Sequence, residues 1–274
     1  MRRLQTILLA GIVGFMALSQ LHCLPEPDPR EKIMELRVLG IKANPPAAKP
    51  NDKVELSALV AIHTNDAITL SWYLCKDTKD AEHGCHDKPN AIQLGEGNTK
   101  TVTIPSDYLQ TELTPAEKQS GRFLPITMVA RAGKEIVVAV KRIVISDNPS
   151  NQNPKITDLT LSSEDGQTPL SKPWSLGLDK KYKLTATIDP KSRESYQRID
   201  PEGNASQAQE RLYLSWYLTD GAYSKGYLSQ ADDLENTLET PKEKAPESGK
   251  ITMYLILRDG RGGVDWSTYT ADIK

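Results

Sequence analysis

The densest group of reactive side chains in this sequence is Cys75, His83, Cys85 and His86. Two thiolates and two imidazoles are a sufficient ligand set for zinc. The spacing argues against a metal site, because nine residues separate the cysteines and the last three groups are crowded within four positions. We therefore predict a disulfide between Cys75 and Cys85, with zinc binding and free thiols as the alternatives.

No other pattern in the sequence predicts catalysis. A serine nucleophile needs a histidine base, and His63 is the one histidine after the N-terminal segment that lies outside the cysteine loop. The glycines of Asp259–Gly263 precede a strand rather than a helix, which predicts a hairpin turn rather than a phosphate-binding loop. We predict no enzyme activity, no catalytic residue, no metal and no cofactor. A hydrolase with its site on the loops 75–125 or 189–211 is the alternative.

The balance of charge bears on the partner. The chain has 34 Lys and Arg against 36 Asp and Glu, a net charge of −2, so no basic field attracts nucleic acid. Trp72 and Trp216 lie in apolar strands and are predicted to be core residues. Trp174 and Trp266 are less constrained by their neighbours, and a sugar-binding module that uses either one is a further alternative. The ligand-binding residues are not predictable from the sequence.

The N-terminus predicts export. Two arginines, Arg2 and Arg3, precede the apolar run Ile7–Leu18, whose twelve residues suit the hydrophobic part of a signal peptide better than a membrane span. We predict a signal peptide over residues 1–22, followed by a polar, proline-rich tether over 23–33. An uncleaved signal anchor and a secreted protein without lipid are the alternatives.

Cys23 directly follows this signal, as in the lipobox of bacterial lipoproteins, which it resembles. The resemblance implies that the signal is cut before Cys23 and that this cysteine is lipidated. Gln20, Leu21 and His22 depart from the usual small residues of the box. The count of three cysteines agrees with lipidation, because Cys75 and Cys85 then remain as an even pair. Under the same resemblance, the residue after the modified cysteine, Leu24, favours the outer membrane as the site of the lipid anchor.

The remainder of the chain is an internal repeat. The strand-like blocks VELSALV and YKLTATI, then SWYL twice, then ITM twice, occur in the same order in both halves. The tryptophan of SWYL lies 18 residues after the start of the first block in one copy and 34 residues after it in the other. The second copy therefore has 34 − 18 = 16 additional residues near 190–210, which we predict to form a loop. We predict domain one over 34–147, a linker with few contacts over 148–153 and domain two over 154–274.

Both domains are predicted to be β-sandwiches. Short alternating strands are separated by turns rich in Gly, Pro and Asn, which is typical of this architecture. Two segments rich in helix formers, 105–119 and 230–238, predict one or two helical turns in loops. The pattern therefore predicts an all-β fold class, with two tandem β-sandwich domains after an N-terminal signal and lipid anchor.

The opening block RVLGIKANPPAAKPNDKVELSALV resembles the opening of immunoglobulin-like domains in myxobacterial-type envelope lipoproteins. The closing block ILRDGRGGVDWSTYTADI resembles the last hairpin of bacterial immunoglobulin-like and PKD-like modules. The resemblance implies an extracytoplasmic tandem of immunoglobulin-like domains, and it implies no activity. We therefore expect a non-catalytic lipid-anchored protein of the cell envelope with a structural or partner-binding role. Its expected partners are the membrane, through the anchor, and an envelope protein of unknown identity.

Overall fold

The computed structural model describes residues 29–77, 82–200 and 204–274. Within these ranges the chain forms nineteen β-strands, one α-helix, α1 (Pro115–Ser120), and one short 3-10 helix (Pro190–Ser192). The predicted all-β class is confirmed. No helix in the described ranges is both long and apolar enough to cross a membrane. Cys23 and the predicted signal peptide lie outside the described residues.

The first half forms two packed sheets. Its strands are β1 (Arg37–Asn44), β2 (Ala47–Ala48), β3 (Lys53–Ala61), β4 (Thr69–Leu74), β5 (Ile92–Glu96), β6 (Thr99–Thr103), β7 (Arg122–Ala132) and β8 (Glu135–Ile145). One sheet has the order β1-β3-β6 and the other the order β2-β8-β7-β4-β5. Their shared core is drawn from residues 36–145.

The second half repeats this plan. Its strands are β9 (Ile156–Ser163), β10 (Pro169–Leu170), β11 (Trp174–Leu176), β12 (Lys181–Ile188), β13 (Ser195–Ile199), β14 (Ala205–Gln209), β15 (Tyr213–Leu218), β16 (Ala222–Tyr223), β17 (Glu235–Glu239), β18 (Lys250–Arg258) and β19 (Val264–Ile273). The sheets have the orders β10-β9-β12-β17-β16 and β11-β19-β18-β15. Their core is drawn from residues 156–273. In both halves this strand order is that of an immunoglobulin-like sandwich.

The two repeated tryptophans are core residues, as predicted. Trp72 and Trp216 have no exposed surface. Each buried indole N–H has an acceptor, because Trp72 donates to the Gly97 carbonyl at 2.8 Å and Trp216 donates to the Ser229 hydroxyl at 2.6 Å. Burial of these rings therefore leaves no indole N–H unpaired.

The ITM blocks are not structurally equivalent, although the repeat itself is present. Ile126 lies opposite Leu74 at the end of the SWYL strand, whereas Met253 lies opposite the matching Leu218. The second ITM is therefore displaced by two residues, and this displacement keeps each side chain on its face of the sheet. Arg131 and Arg258 are the equivalent positions, each three residues past the partner of its tryptophan.

One of the two predicted helical segments is helical. Helix α1 overlaps the end of 105–119, extends one residue past it, and begins at a capping box in which Thr114 and Glu117 bond each other's backbone N–H groups. The prediction of helical turns over 230–238 is wrong. Its second half forms β17, which pairs with β12, and Asp232 has a φ of 65° that no helix contains. Tertiary strand pairing overrides local helix propensity there.

The insertion predicted as a loop is a β-hairpin. Strands β13 and β14 pair antiparallel from Ser195 opposite Gln209 to Ile199 opposite Ala205. This hairpin stands apart from both sheets of domain two and reaches helix α1 of domain one. An element inserted in one domain therefore contacts the other.

The two sandwiches pack side by side through their sheet faces. The outer face of β1 and β3 lies against the outer face of β15, β18 and β19. We call the buried residues between them the interdomain cluster: Ile33, Leu39, Ala61, Ile256 and Val264. Partly buried Leu59, Tyr217, Tyr254 and Trp266 surround this cluster. Gly40 lies directly under this contact, because a Cβ there would make van der Waals contact at 3.5 Å with both the Ile256 and the Trp266 side chains.

Polar bonds flank the interdomain cluster. Lys42 forms an ion pair with Asp265 at 2.9 Å and lies 4.8 Å from the centre of the Trp266 ring. The guanidinium of Arg258 donates to the Leu39 carbonyl at 2.7 Å. These bonds give partners to the charged side chains and to the Leu39 carbonyl at the border of an apolar contact. Packing of the two domains therefore leaves these polar groups paired.

The linker predicted to carry few contacts is packed instead. Asn151 is 8% exposed, and the Asn153 side chain donates to the Ala43 carbonyl and accepts from the Val264 N–H, each at 2.9 Å. The segment predicted as a tether, residues 23–33, also forms backbone hydrogen bonds at its end. Glu31 and Ile33 exchange backbone hydrogen bonds with Leu218 at the edge of β15, so domain two is contacted before the chain enters domain one.

The interdomain cluster predicts cooperative unfolding of both domains. Wild-type protein should melt in one transition, whereas Ile256→Asp or Gly40→Glu, on opposite sides of the contact, should produce two, because a buried charge without a partner opposes docking. Thr160→Asp, on the exposed outer face of β9, is the control and should melt like wild type. Differential scanning calorimetry measures this. Two transitions in the wild type would contradict the prediction.

Candidate interaction surface

Strand β8 carries apolar side chains on both of its faces. Its sequence is EIVVAVKRIVI, and the odd-numbered residues such as Ile143 and Ile145 enter the core of domain one. The even-numbered residues point outward, where Ile136 is 60% exposed and Val138 is 37% exposed. Phe123 on the adjacent strand β7 is 50% exposed. An outward row of this composition is unusual for a solvated sheet face.

The same positions of domain two are covered. Strand register places Val138 opposite Val129 and Trp266 opposite Ile256, each pair one residue past the partner of the core tryptophan. Val138 is thus equivalent to Trp266, and Ile136 is equivalent to Val264. In domain two both positions contact domain one in and around the interdomain cluster. In domain one the equivalent side chains meet no second domain.

The disulfide loop covers part of this face instead. Cys75 and Cys85 are joined by a disulfide, with their sulfurs 2.10 Å apart. The loop folds back over β7, where the Cys85 N–H donates to the Thr127 hydroxyl at 3.0 Å. Gly84 has a φ of 81°, and a Cβ there would lie 2.8 Å from Thr127, so only glycine allows this approach. The described end of the loop therefore covers Thr127 of β7 and lies against Val138, and it leaves Ile136 of β8 exposed.

The histidines of the loop do not converge on a common point. The His83 side chain is 91% exposed, whereas the His86 ring packs edge-on against Tyr73 at 6.4 Å. In the part of the chain that the structure describes, no three His, Cys, Asp or Glu side chains are placed to hold a metal ion. Both sulfurs are used in the disulfide, so the geometry favours the predicted disulfide over zinc binding.

We call the open surface along this strand the β8 groove: its floor is Val138, Val140, Arg142 and Val144. One part of the groove is a depression of about 620 Å³ between the loop residues Glu82 and His83 and the domain-two residue Gly262. The other part, of about 490 Å³, lies between Val144 and the hairpin strand β13. Arg142 and Gly262 border both parts.

The turn between β18 and β19 forms one wall of the β8 groove. As predicted, its glycines serve a hairpin turn, with positive φ at Gly260 and Gly262. The buried Asp259 carboxylate accepts from the N–H groups of Arg261 at 2.7 Å and Gly263 at 2.9 Å. The Lys141 ammonium, at the edge of β8, donates to the Gly262 carbonyl and so joins the turn to domain one.

The carboxylates of the inserted hairpin are committed to structural bonds. Glu210, 3% exposed, accepts from Arg261 at 2.7 Å and from the Glu194 N–H at 3.2 Å. Burial raises its pKa, and these two bonds oppose the rise. Glu194 accepts from the linker N–H of Gln152 at 3.0 Å. This arrangement fixes linker, hairpin and turn together, and it commits both Glu194 and Glu210 to structural bonds, which does not favour these two carboxylates as a hydrolase pair.

Neither tryptophan considered for sugar stacking offers a free ring face. Trp174 is 2% exposed and packs against Tyr269 at 5.9 Å, with the Lys172 ammonium 5.1 Å from its ring. Trp266 is partly buried between Lys42 and the backbone of Gly40. Both rings are used in packing, so the geometry does not favour the sugar-binding alternative at these positions.

Sequence reasoning identified β8 as a strand but missed its outer row. The signal was present, because an eleven-residue strand with apolar residues on both faces needs a cover on both faces. No such signal indicated that the β13–β14 hairpin and the β18–β19 turn border the groove, since their positions depend on the packing of the two domains.

Comparisons with known proteins give fold-level similarities at low identity. No family model and no curated protein matches the chain. Among solved structures, the Ig1-2 module of the Drosophila receptor protein tyrosine phosphatase DLAR is 9% identical, covering 88% of this chain and 99% of its own, with a TM-score of 0.27. Murine CEACAM1b is 12% identical over 88% and 100%, with a TM-score of 0.23.

Lys141 should make stability depend on pH. Burial lowers the pKa of its ammonium from 10.5 to about 8, against an opposing effect of Asp259. Between these values the unfolded chain binds more protons than the folded one, so the contribution of Lys141 to stability rises with pH. Relative to Lys141→Met, the wild type should gain about 2 kcal/mol in unfolding free energy from pH 7 to 9.5. Urea unfolding at both pH values measures this, and a constant difference would contradict it.

The disulfide should stabilise domain one. Closing a loop with a sequence separation of 10 residues restricts the unfolded chain, and the loss in Cys75→Ser/Cys85→Ser should be about 3 kcal/mol. Hydrogen exchange should rise at the Cys85 amide, which Thr127 holds in the wild type. Non-reducing peptide mapping of exported protein should recover the two cysteines linked. Recovery of two free thiols with bound zinc would contradict the assignment.

Proposed function

We propose that this protein is a non-catalytic lipoprotein of the bacterial cell envelope, anchored through Cys23, and that it binds a protein partner at the β8 groove. The observation that carries the proposal is the outward apolar row of β8, with exposed Ile136 and Val138 toward one end and exposed Phe123 of β7 opposite Val144 at the other. Exposed apolar surface of this kind, rimmed by charged residues, is typical of interaction sites. Burial against a partner contributes about 25 cal/mol per Å² of apolar surface.

The equivalent face of domain two supports this role. There the positions of Ile136 and Val138 are occupied by Val264 and Trp266, which contact domain one. In domain two, this face binds a domain of the same chain. The similarity of the two faces supports the proposal that, in domain one, the face binds another chain. The groove is also bordered by bonded residues, because Cys85 on one side is held by Thr127 and the β18–β19 turn on the other side is held by Lys141.

The anchor is supported by the cysteines. Cys75 and Cys85 are paired with each other, so Cys23 is the single cysteine left over. It follows a signal-like apolar run, and it resembles the modified cysteine of a lipobox. We propose the outer membrane as the site of the anchor, since Leu24 follows Cys23.

Cys23→Ser should release the protein from the membrane. Two or three acyl chains bind a bilayer stably, at about 0.8 kcal/mol per buried CH₂, and the variant has none. Fractionation of cells that express wild type or variant, with immunoblotting of soluble and membrane fractions, measures this. Cys75→Ser is the control and should stay in the membrane fraction. A Cys23→Ser protein that is exported but still fractionates with the membrane would favour an uncleaved signal anchor.

A photo-crosslinking residue at Val138 tests the binding role. In full-length protein within intact cells, p-benzoylphenylalanine at Val138 should form an adduct with a second polypeptide. The same residue at Thr160 is the exposed control and should form none, whereas at Trp266 it should crosslink only within the chain, to β1. Mass spectrometry of the adducts identifies the linked peptides. Equal adduct yields at Val138 and Thr160 would contradict the proposal.

A further inference from the structure

We propose that a depression beside the inserted β13–β14 hairpin binds a phosphorylated sugar, with Arg198 and Arg211 as the residues that hold the phosphate group. We call this depression the arginine pocket: it is bordered by Tyr196, Arg198, Ala208, Arg211, Tyr213 and Arg261. It adjoins the hairpin part of the β8 groove, with which it shares Arg198 and Arg261. The inference goes beyond the proposed function and does not depend on the protein partner.

The arginine pocket has more positive than negative charge at its border. Arg198, Arg211 and Arg261 lie there together with one acidic residue, Asp259. The Asp259 carboxylate is already bonded, because it accepts from the N–H groups of Arg261 and Gly263. The whole chain has a net charge of −2, so the positive excess is a local property of this site. A local positive excess favours an anion as the ligand.

Two of the three guanidinium groups are unpaired. Arg261 is bound to Glu210 at 2.7 Å and lies 4.4 Å from the centre of the Tyr196 ring. Arg198 and Arg211 are exposed, and within residues 29–77, 82–200 and 204–274 neither side chain forms a hydrogen bond or an ion pair. Two unpaired positive charges match a phosphate monoester, whose charge is about −1.5 to −2 at pH 7. A carboxylate would neutralise only one of them.

The base of the hairpin positions these arginines before any ligand binds. Arg198 lies two residues beyond Tyr196 on the same face of β13, and Tyr196 is held by the stacked guanidinium of Arg261. Arg211 directly follows Glu210, whose buried carboxylate is bound by the same Arg261. The backbone that carries both unpaired arginines is therefore fixed by one residue of the β18–β19 turn. A site that is ordered in advance loses less conformational freedom when its ligand binds.

The remainder of the arginine pocket suits a sugar ring. The partly buried rings of Tyr196 and Tyr213 provide apolar surface beside hydroxyl groups, and a sugar has C–H groups beside hydroxyls in the same way. Two other residues at its border are small, Ala208 and Gly260. A Cβ at Gly260 would meet no atom within 4 Å, so the space above the turn is open. The volume of about 460 Å³ is in the range of small-molecule sites.

NMR titration of the arginine side chains tests the inference. In purified, ¹⁵N-labelled Cys23→Ser protein, the Nε–H signals of Arg198 and Arg211 are assigned by their loss in Arg198→Lys and Arg211→Lys. Glucose 1-phosphate or glucose 6-phosphate should shift both signals to saturation, whereas glucose should shift neither. Inorganic phosphate should bind about tenfold more weakly, because it lacks the sugar ring. No shift with either sugar phosphate, or equal affinity for inorganic phosphate, would overturn the inference.

Charge reversal then tests the two arginines. Arg198→Glu and Arg211→Glu should each weaken binding of the sugar phosphate at least about tenfold, because each loses a charge-assisted hydrogen bond. Arg131→Glu, at an exposed arginine of β7 in domain one, is the matched control and should bind like the wild type. Glucuronate should bind more weakly than the sugar phosphate. An equal loss in Arg131→Glu, or tighter binding of glucuronate or of a single-stranded thymidine octanucleotide, would overturn the assignment.

Vesicles separate the two sources of a sugar phosphate. Phosphatidylcholine vesicles with and without lipid A, a phosphorylated glycolipid, are sedimented with the same protein. Together with the NMR shifts, cosedimentation with lipid A that Arg211→Glu abolishes supports a sugar phosphate carried on a membrane. The shifts without cosedimentation support a free one.

The arginine pocket and the proposed partner role can fail separately. Val138→Asp should leave the binding of the sugar phosphate unchanged, and Arg211→Glu should leave the photo-crosslink from Val138 unchanged. Loss of sugar phosphate binding in Val138→Asp would contradict the assignment of the phosphate to Arg198 and Arg211.

Discussion

The contact between the outer face of β1 and β3 and the outer face of β15, β18 and β19 is the interaction on which the rest of the structure depends. Removal of the interdomain cluster would expose Ile256 and Val264 on one side and Leu39 on the other. The contact also determines where the β18–β19 turn lies, and hence the position of one wall of the β8 groove. Neither the ordered linker nor the Glu31–Ile33 pairing would have a partner without it.

The repeat uses one sheet face in two ways. Both copies have apolar side chains at equivalent outer positions, because Val138 corresponds to Trp266 and Tyr73 corresponds to Tyr217. In domain two, a whole domain covers that face. In domain one, the described end of the disulfide loop lies over Thr127 of β7, and His86 packs against Tyr73 of β4. The cysteine pair occurs in one copy only, with Thr219 at the position of Cys75, and it lies on the face that in domain two is covered by domain one.

The individual sandwiches were predictable from the sequence because their signals are local. Alternation marked the strands, and the duplicated SWYL placed a core tryptophan in each half. The packing between the halves gave no local signal. In the sequence, three outer aromatic residues alternate with core residues: Tyr217, Tyr254 and Trp266. Aromatic residues exposed to solvent would show the same alternation, so only the fold of domain one shows what covers them. Residues 230–238 have helix-forming side chains, yet pairing with β12 makes a strand of their second half. The inserted hairpin was equally hidden, since its side chains are polar and its carboxylates bond to distant residues.

The pairing of Glu31 and Ile33 with the edge of β15 has a mechanical consequence. In the anchored protein proposed above, seven residues separate Cys23 from Glu31, and the eight peptide steps have a contour length of about 27 Å. The pairing would tie the end of this tether to the second domain as well as to the first, so the anchor would hold both sandwiches near the bilayer instead of letting them extend outward in series. A force on a partner bound at the proposed groove would then reach the lipid through β15 as well as through β1. Two strands in two separate cores would share that load.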